Sequence, residues 1–290
     1  MNKDYYEMYH CHTELSLLDS CTKYQEYVDL AVKNGQKVLS ISEHGKPMNW
    51  TEKWAACKKA GLRYIHSVEI YLTEQLEPKV RDNYHTVLMA RNTAGLLELN
   101  ALITKSCDKQ HSYYTNRISF DEFLNISDNI ISTSACLASP LNKLPPDHPR
   151  YMELARKYDF LEVQAHNHPE QIAFNKRLLE LSKEIGTPLI AGTDTHSSTP
   201  YKAECRAALI SAKGKLYVSD VYELVRRKDN KQFGYSIITK SIGSGVESRF
   251  TVVNSVYNED PIKKGDIIYC KGWERNGQYF RLTRFEKVLY

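Results

Sequence analysis

The chain has 290 residues, 42% hydrophobic and 26% charged, with 39 Lys and Arg against 35 Asp and Glu for a net charge of +4. That is the balance of an ordinary globular chain long enough for one large α/β barrel, or for one barrel plus a small module. Seven cysteines without a CxxC pair argue against a secreted disulfide framework. No run reaches the roughly 18 apolar residues of a membrane span, and the polar start MNKDYYEMYHCH is no signal peptide, so a reducing cytoplasm is the expected setting.

From residue 5 onward, short β-rich runs alternate with helical periods. The β runs cover 5–12, 37–44, 63–72, 84–91, 129–136, 160–166 and 188–196. Helical patterns are expected at 23–35, 49–61, 93–106, 149–159, 169–186 and 200–214. Gly35, Gly61, Gly186 and Gly214 stand where left-handed caps would end helices, and Pro169 and Pro200 where helices would begin. Repeated β–α units of this spacing predict a largely parallel sheet, closed or nearly so. An open doubly wound sheet is the plain alternative, but it would spread the strand ends described next too far apart.

After residue 214 the rhythm changes. Five β-rich runs follow in 216–288 with no clear helix between them, separated by the turn candidates KDNKQ, GSG, NEDPIKKG and RNG. Such spacing suits a small closed β-barrel. Residues 215–290 carry 14 Lys and Arg against 9 Asp and Glu, whereas the remainder nets −1, so this last quarter is the part suited to a polyanion. The expected domains are 1–213 and 216–290.

Nine potential metal donors fall at the ends of the strand-like runs: His10, His12, Asp19, His44, Glu69, His85, Cys136, Asp194 and His196. Residues two apart on a strand share a face, so His10 and His12 point together, as do Asp194 and His196. Cys11 then points into the wall, and Glu43 away from the cluster. A single strand-end histidine is more often structural than a ligand. Two such pairs with His44, Glu69 and His85 between them are much harder to obtain by accident. Imidazoles, carboxylates and a thiolate converging on one barrel face can hold two or three divalent ions, with zinc, iron and manganese all compatible. Such ions suit phosphoester hydrolysis, and no serine elbow, Walker loop or GxGxxG competes. His166 is a candidate supporting donor or substrate contact; His66, His111 and His148 read as structural or surface.

YHCHTELSLLDS, ISEHG, VEIYL, YHTVLMARN, SACLAS and AGTDTHSSTPY together resemble the successive motifs of the PHP (polymerase and histidinol phosphatase) domain, in the variety found at the start of bacterial and phage DNA polymerase III alpha subunits. The resemblance covers 5–213. It implies a distorted (β/α)7 barrel, a trinuclear metal site on the nine residues named above, and 3′–5′ exonuclease or related phosphoesterase chemistry in which Asp19, Asp194 and His196 are catalytic. Glu43 departs from the family's usual Asp. The stretch PIKKGDIIYCKGWERNGQYFRLTRFEKV is similar to the OB-fold of the same polymerases, whose palm, fingers and thumb have no counterpart here, so nucleotide addition is not expected.

In the β module Tyr235, Phe250, Trp273, Tyr279 and Phe280 could serve as core or as a stacking platform. Trp273 and Tyr279 with Arg275, Arg281 and Arg284 are the candidate nucleic-acid contacts. The expectation is a monomeric, cytoplasmic exonuclease acting on single-stranded DNA or DNA 3′ ends, with other replication proteins as further candidate partners and no membrane association. A small-molecule phosphatase of the histidinol-phosphate type and a non-catalytic, metal-stabilised DNA-binding scaffold are the alternatives.

Overall fold

The computed structural model describes residues 6–77, 80–212, 215–226, 231–241, 247–257, 261–264, 266–276 and 279–287. The elements in chain order are α1 (Tyr24–Lys33), β1 (Val38–Ser40), α2 (Trp50–Lys59), β2 (Arg63–Ile65), β3 (Ser67–Thr73), β4 (Tyr84–Ala90), α3 (Thr93–Ser106), β5 (Ser112–Tyr113), β6 (Thr115–Ser119), α4 (Phe120–Leu124), β7 (Ile130–Thr133), α5 (Pro140–Lys143), α6 (Tyr151–Lys157), β8 (Leu161–Gln164), α7 (Pro169–Ile185), β9 (Leu189–Gly192), α8 (Pro200–Ala212), β10 (Lys215–Arg226), β11 (Lys231–Ser241), β12 (Glu247–Val253), α9 (Asn254–Tyr257), β13 (Ile267–Asn276) and β14 (Tyr279–Lys287). They fall into two compact units, Met1–Ala203 and Glu204–Tyr290.

In the first unit, hydrogen bonds link the seven anticipated β runs one to the next. Ser40 N donates to Met8 O and Ser42 N to Cys11 O, β1 pairs parallel with β2, and a parallel bridge joins His44 to Glu69. β3 pairs with β4, β4 with β7, and a bridge from Thr133 to Phe160 leads to the β8–β9 pair. A last parallel bridge, Thr195 to Cys11, returns to the starting segment.

The sheet is more mixed than the alternating pattern predicts. β4 runs antiparallel to both β3 and β7. A parallel pair needs a crossover of a dozen or more residues. The link from Thr73 to Tyr84 is too short for one and forms no helix among its described residues. The reversal brings the start of β4 to the end where its neighbours finish. The hairpin β5–β6 and the short helices α4 and α5 were not anticipated, although Ser119 and Glu122 form a capping box whose S-x-x-E spacing is visible in the sequence.

Alternation sorts the faces. Val68, Ile70 and Leu72 of β3 pack outward into the main core with Leu88, Leu99, Phe120, Phe123 and Phe174, leaving Glu69 on the other face. Each such fully buried aliphatic side chain contributes about 1.5–3 kcal/mol. Cys11 joins a second core with Tyr27, Val28 and Leu39, so its neighbours His10 and His12 face the opposite way. α7 begins with Pro169 and ends at Gly186, whose φ of 77° needs no Cβ; Gly35 and Gly61 share that geometry, and Gly214 lies outside the described residues.

The second unit is a closed barrel with strand order β10-β11-β12-β14-β13, its one parallel contact joining Phe250 to Phe280 and Thr251 to Arg281. Val218, Ile237, Phe250, Val252, Ile262 and Ile268 fill it. One feature differs from expectation: NSVY forms the single helical turn α9, where Tyr257 stacks on Tyr235 at 3.5 Å. Residues 228–230, 243–245, 258–260, 265 and 277 of the turn candidates lie outside the described residues. Among the described residues, no helix is long and apolar enough to cross a membrane.

Glu122 ties α3 to α4 by accepting from Lys105 Nζ at 2.5 Å, His111 Nε2 at 2.9 Å and Ser119 N at 2.8 Å. Partial burial would raise its carboxyl; the Lys105 contact foremost, then Ser119 and His111, bring it down to about 2 from 4.5. A carboxyl lowered on folding adds stability above its unfolded value and loses it as pH falls. The unfolding free energy from denaturant titrations should therefore drop between about pH 5 and pH 2, by on the order of 1 kcal/mol after solvent screening. Glu122→Gln should flatten that interval; an unchanged profile would show that the contacts carry no net stability.

Candidate metal centre

All nine donors named from the sequence meet at one end of the first unit. His10 and His12 come from the segment before α1, Asp19 from the loop after it, and His44 from just beyond β1. Glu69 sits in mid-β3 and His85 near the start of β4. That last placement follows from the reversal: on a parallel strand, His85 would lie at the opposite end. Cys136 follows β7, and Asp194 and His196 follow β9. Leu18, Ala135 and Asp194 take left-handed φ values of 62°, 53° and 45°, so the backbone is turned sharply next to or at three of the donors.

Glu69 is the hub, with its side chain 1% exposed. Its Oε1 lies 2.8 Å from His85 Nδ1, 3.5 Å from His10 Nε2 and 3.9 Å from Cys136 Sγ. Its Oε2 lies 2.6 Å from His44 Nδ1 and 3.5 Å from His12 Nε2. Asp194 Oδ1 approaches His12 Nε2 at 3.1 Å and His10 Nε2 at 3.3 Å. Asp19 Oδ2 lies 3.0 Å from both His44 Nε2 and His196 Nε2. The His12 ring stacks between His44, 4.2 Å away, and His196, 4.4 Å away.

Ring orientation follows from what stands behind each imidazole. His10 Nδ1 donates to Glu162 Oε1 at 2.7 Å, and His196 Nδ1 to the Asp194 carbonyl at 2.8 Å. Ser16 Oγ donates to Glu43 at 2.5 Å, so it accepts from His12 Nδ1 at 3.1 Å and from His44 N at 3.2 Å. In all three rings Nδ1 thus carries a proton, and Nε2 faces the carboxylates, where it can give its lone pair to an ion or hold a second proton.

Two acceptors facing each other repel unless a cation lies between them. His10 Nε2, His12 Nε2, His44 Nδ1, Glu69 Oε2 and Asp194 Oδ1 are all buried without a hydrogen-bond partner. Three overlapping triads have donor atoms within 4.8 Å of one another: His12, His44 and His196; His10, His12 and Glu69; His44, Glu69 and His85. This donor set fits divalent transition metals, with imidazole, carboxylate and thiolate all available.

Without a cation the cluster balances its charge internally. Burial would lower His10, but the Glu162 and Asp194 carboxylates outweigh it and hold the ring well above the usual histidine range. Burial takes His12 down to about 4. It opposes charge on His44 as well, yet the Asp19 and Glu69 carboxylates beside it raise that ring to about 10. Against burial, the histidines around Glu69 and Asp194 hold both carboxyls below their usual range. Burial pushes the Cys136 thiol well up, so it becomes a thiolate only when a cation replaces its proton.

Several supporting residues escaped the sequence reading. Glu162 is fully buried on β8, anchored by Thr133 Oγ1 at 2.9 Å and Gln164 Nε2 at 2.7 Å. The alternation of LEVQ, with two polar residues on the inner face of a core strand, was the available signal. Glu43 points away from the donors, as its neighbour relationship to His44 implies, but it is not idle. It is fully buried against Lys53 at 2.7 Å and accepts from Thr13 and Ser16. His166 is exposed and donates to the Thr193 carbonyl at 3.1 Å, on the rim beside Asp194 rather than among the donors. The nucleic-acid candidates Trp273, Arg275, Tyr279, Arg281 and Arg284 lie on the β13–β14 hairpin, where Glu274 opposes Arg281. The side chains of Trp273, Arg275, Tyr279 and Arg284 lie outside what the structure describes.

The PHP domain profile matches residues 8–168. The DNA polymerase III subunit alpha of Aquifex aeolicus is 28% identical over 241 residues, covering 76% of this chain and 21% of that protein. Its counterpart from Borreliella burgdorferi is 30% identical over 202 residues, covering 64% and 18%. The chain thus spans about a fifth of the length of these curated relatives. A crystal structure from Bifidobacterium adolescentis, described as a metal-dependent phosphoesterase, aligns over 67% of this chain and 89% of its own with 16% identity and a TM-score of 0.46.

The His10–Glu162 contact makes the prediction sharpest at Gly192, where a Cβ would sit 2.1 Å from Glu162 Oε1. Gly192→Ala should push Glu162 off His10 and weaken metal retention about 10- to 100-fold, as loss of an outer hydrogen-bond partner does elsewhere. Glu162→Ala should match it. Metal content after dialysis against a graded chelator measures both; retention equal to the unaltered protein would deny Glu162 its orienting role.

Proposed function

The chain belongs to the PHP domain family, and we propose that its first unit is a metal-dependent phosphoesterase that trims DNA from the 3′ end. The observation that carries this reading is the set of five buried, unpartnered donor atoms among three overlapping triads of metal donors, a geometry suited to ions and not to a packed core. The linked circuit of seven β segments supports a distorted (β/α)7 barrel as its frame. Two or three divalent ions would be held by the nine donors, and Asp19, with its side chain 25% exposed, leaves the centre open to a substrate on that side.

Bound ions supply Lewis acidity toward a phosphoryl oxygen and activate water for attack at phosphorus. The chain's own contributions are positional. Glu162 and Ser16 fix the tautomers of His10 and His12, so no ring has to turn when an ion arrives. Asp19 sits between His44 and His196 at the solvent-facing edge, with its side chain 25% exposed, placed to hold a proton as the leaving oxygen departs. Asp194, with its side chain 19% exposed, lies deeper beside His10 and His12.

The second unit would hold the strand. Its order β10-β11-β12-β14-β13, with a helical turn between β12 and β13, supports an OB-fold, and the excess of basic residues in 215–290 suits a polyanion. Trp273, Arg275, Tyr279, Arg281 and Arg284 are the proposed contacts. The relatives' roles in replication suggest DNA as substrate, and the same reading carries the chain to the cytoplasm.

A single strand labelled at its 5′ end, incubated with zinc or manganese, should give a ladder that shortens from the 3′ end and vanishes with chelator. Asp19→Ala and Asp194→Asn should each reduce cleavage at least about 100-fold, more than an outer partner costs, while circular dichroism stays unchanged. Full activity in either variant would place the chemistry elsewhere. Hydrolysis of a small phosphoester without cleavage of any strand would instead identify a metabolite phosphatase.

A further inference from the structure

The far end of β4, opposite His85, opens onto a second cleft of about 230 Å³ that shares no residue with the metal centre. Its walls are aromatic. Trp54 is 47% exposed with Lys58 Nζ 4.9 Å from its ring, and Trp50 meets His66 edge-on at 5.0 Å. Its charge is basic: Arg63 and Arg91 line it, with the first residue of the 14-residue helix α3, and no acidic side chain does. Arg91 donates to the Asp128 carbonyl at 3.0 Å and pairs loosely with Asp159 at 3.6 Å, with its side chain still 51% exposed.

The decisive group is His66, which is 4% exposed. Its Nε2 stands 3.0 Å from Asn100 Oδ1. An amide oxygen only accepts, so Nε2 carries the proton and Nδ1 holds a lone pair. That Nδ1 is buried without a partner in a residue lining the cleft. Burial lowers the His66 ring's affinity for a second proton, so Nδ1 remains an acceptor. The cleft thus asks for a flat ring that donates an N–H, joined to an anion.

We propose that this cleft binds a single nucleotide. The base stacks against the tryptophans and donates to His66 Nδ1, while its phosphate meets Arg63, Arg91 and the start of α3. The volume lies below the roughly 300–1,000 Å³ of pockets that enclose larger ligands, which suits one base rather than a dinucleotide. The nucleotide is either free or one unit of a single strand.

Titration calorimetry of the full chain with AMP, set against inorganic phosphate and adenosine, tests the assignment. AMP should bind more tightly than either half alone. Trp54→Ala and Arg63→Ser, both at exposed positions, should each weaken AMP about tenfold without changing the melting temperature. His66→Phe keeps a ring in place and should weaken AMP and adenosine but not phosphate. A 5′-phosphorylated oligo-dA distinguishes the sources. Tighter binding than AMP that is lost in Trp54→Ala means a strand, and equal binding lost in the same variant means a free nucleotide; both support the site. AMP bound no better than phosphate, or unaffected by Trp54→Ala, would overturn it. The outcome is independent of the hydrolase reading, whose failure leaves this cleft intact.

Discussion

Glu69 holds a carboxylate almost out of reach of solvent, on the inner face of a strand whose other face is solid hydrocarbon. A buried charge of that kind is tolerated only when opposite charge and donors surround it. Four imidazoles and a thiol do so here, drawn from the segment before α1, the end of β1, the start of β4 and the turn after β7. Each arrives because its own strand buries an apolar face outward: Cys11 behind His10 and His12, Leu88 behind the β4 inner face, and Val68 and Ile70 flanking Glu69 itself. The hydrocarbon packing and the polar centre are therefore two sides of the same alternation.

Behind the donors lies a second tier that decides what they can do. Glu162 and the Ser16 hydroxyl claim the protons of His10 and His12, and the Asp194 carbonyl claims that of His196. Ser16 can accept only because its own proton is committed to Glu43, and Glu43 can stay charged in the interior because Lys53 pairs with it at 2.7 Å. A surface-distant ion pair thereby reaches the metal centre through one hydroxyl. Ring nitrogens aimed at carboxylates are the result, a pairing that either protons or a bound cation can satisfy.

Much of this was legible in the sequence, because strand periodicity carries its own geometry. Two residues apart means one face, which paired His10 with His12 and Asp194 with His196. The five strands of the second unit were likewise visible from turn spacing, although NSVY reads as strand by composition and its helical turn is set by tertiary packing of Tyr257 on Tyr235. The reversal of β4 was not legible: His85, at the start of its run, reaches the cluster only because the strand runs antiparallel to β3, and that sense depends on a link too short for a crossover helix. Glu162, Ser16 and Lys53 were missed for another reason. Their types are common on surfaces, and only the fold shows that they are buried, with partners on segments far away in sequence.

Because β4 turns straight back along β3, contacts within the centre differ in how much chain they tie up. Glu69 and His85 are 16 residues apart, whereas Asp19 and His196 are 177 apart. Loop closure scales with the logarithm of length, so the second contact costs about 2 kcal/mol more chain entropy than the first. The hairpin half of the centre is the inexpensive half to assemble, and the pairs that involve Asp194 and His196 come only with the Cys11–Thr195 bridge that closes the circuit. An ion gripping both halves, as proposed above, would therefore act as a clasp: it would fasten the two ends of the first unit's chain to each other, and its grip would report whether the ring is shut.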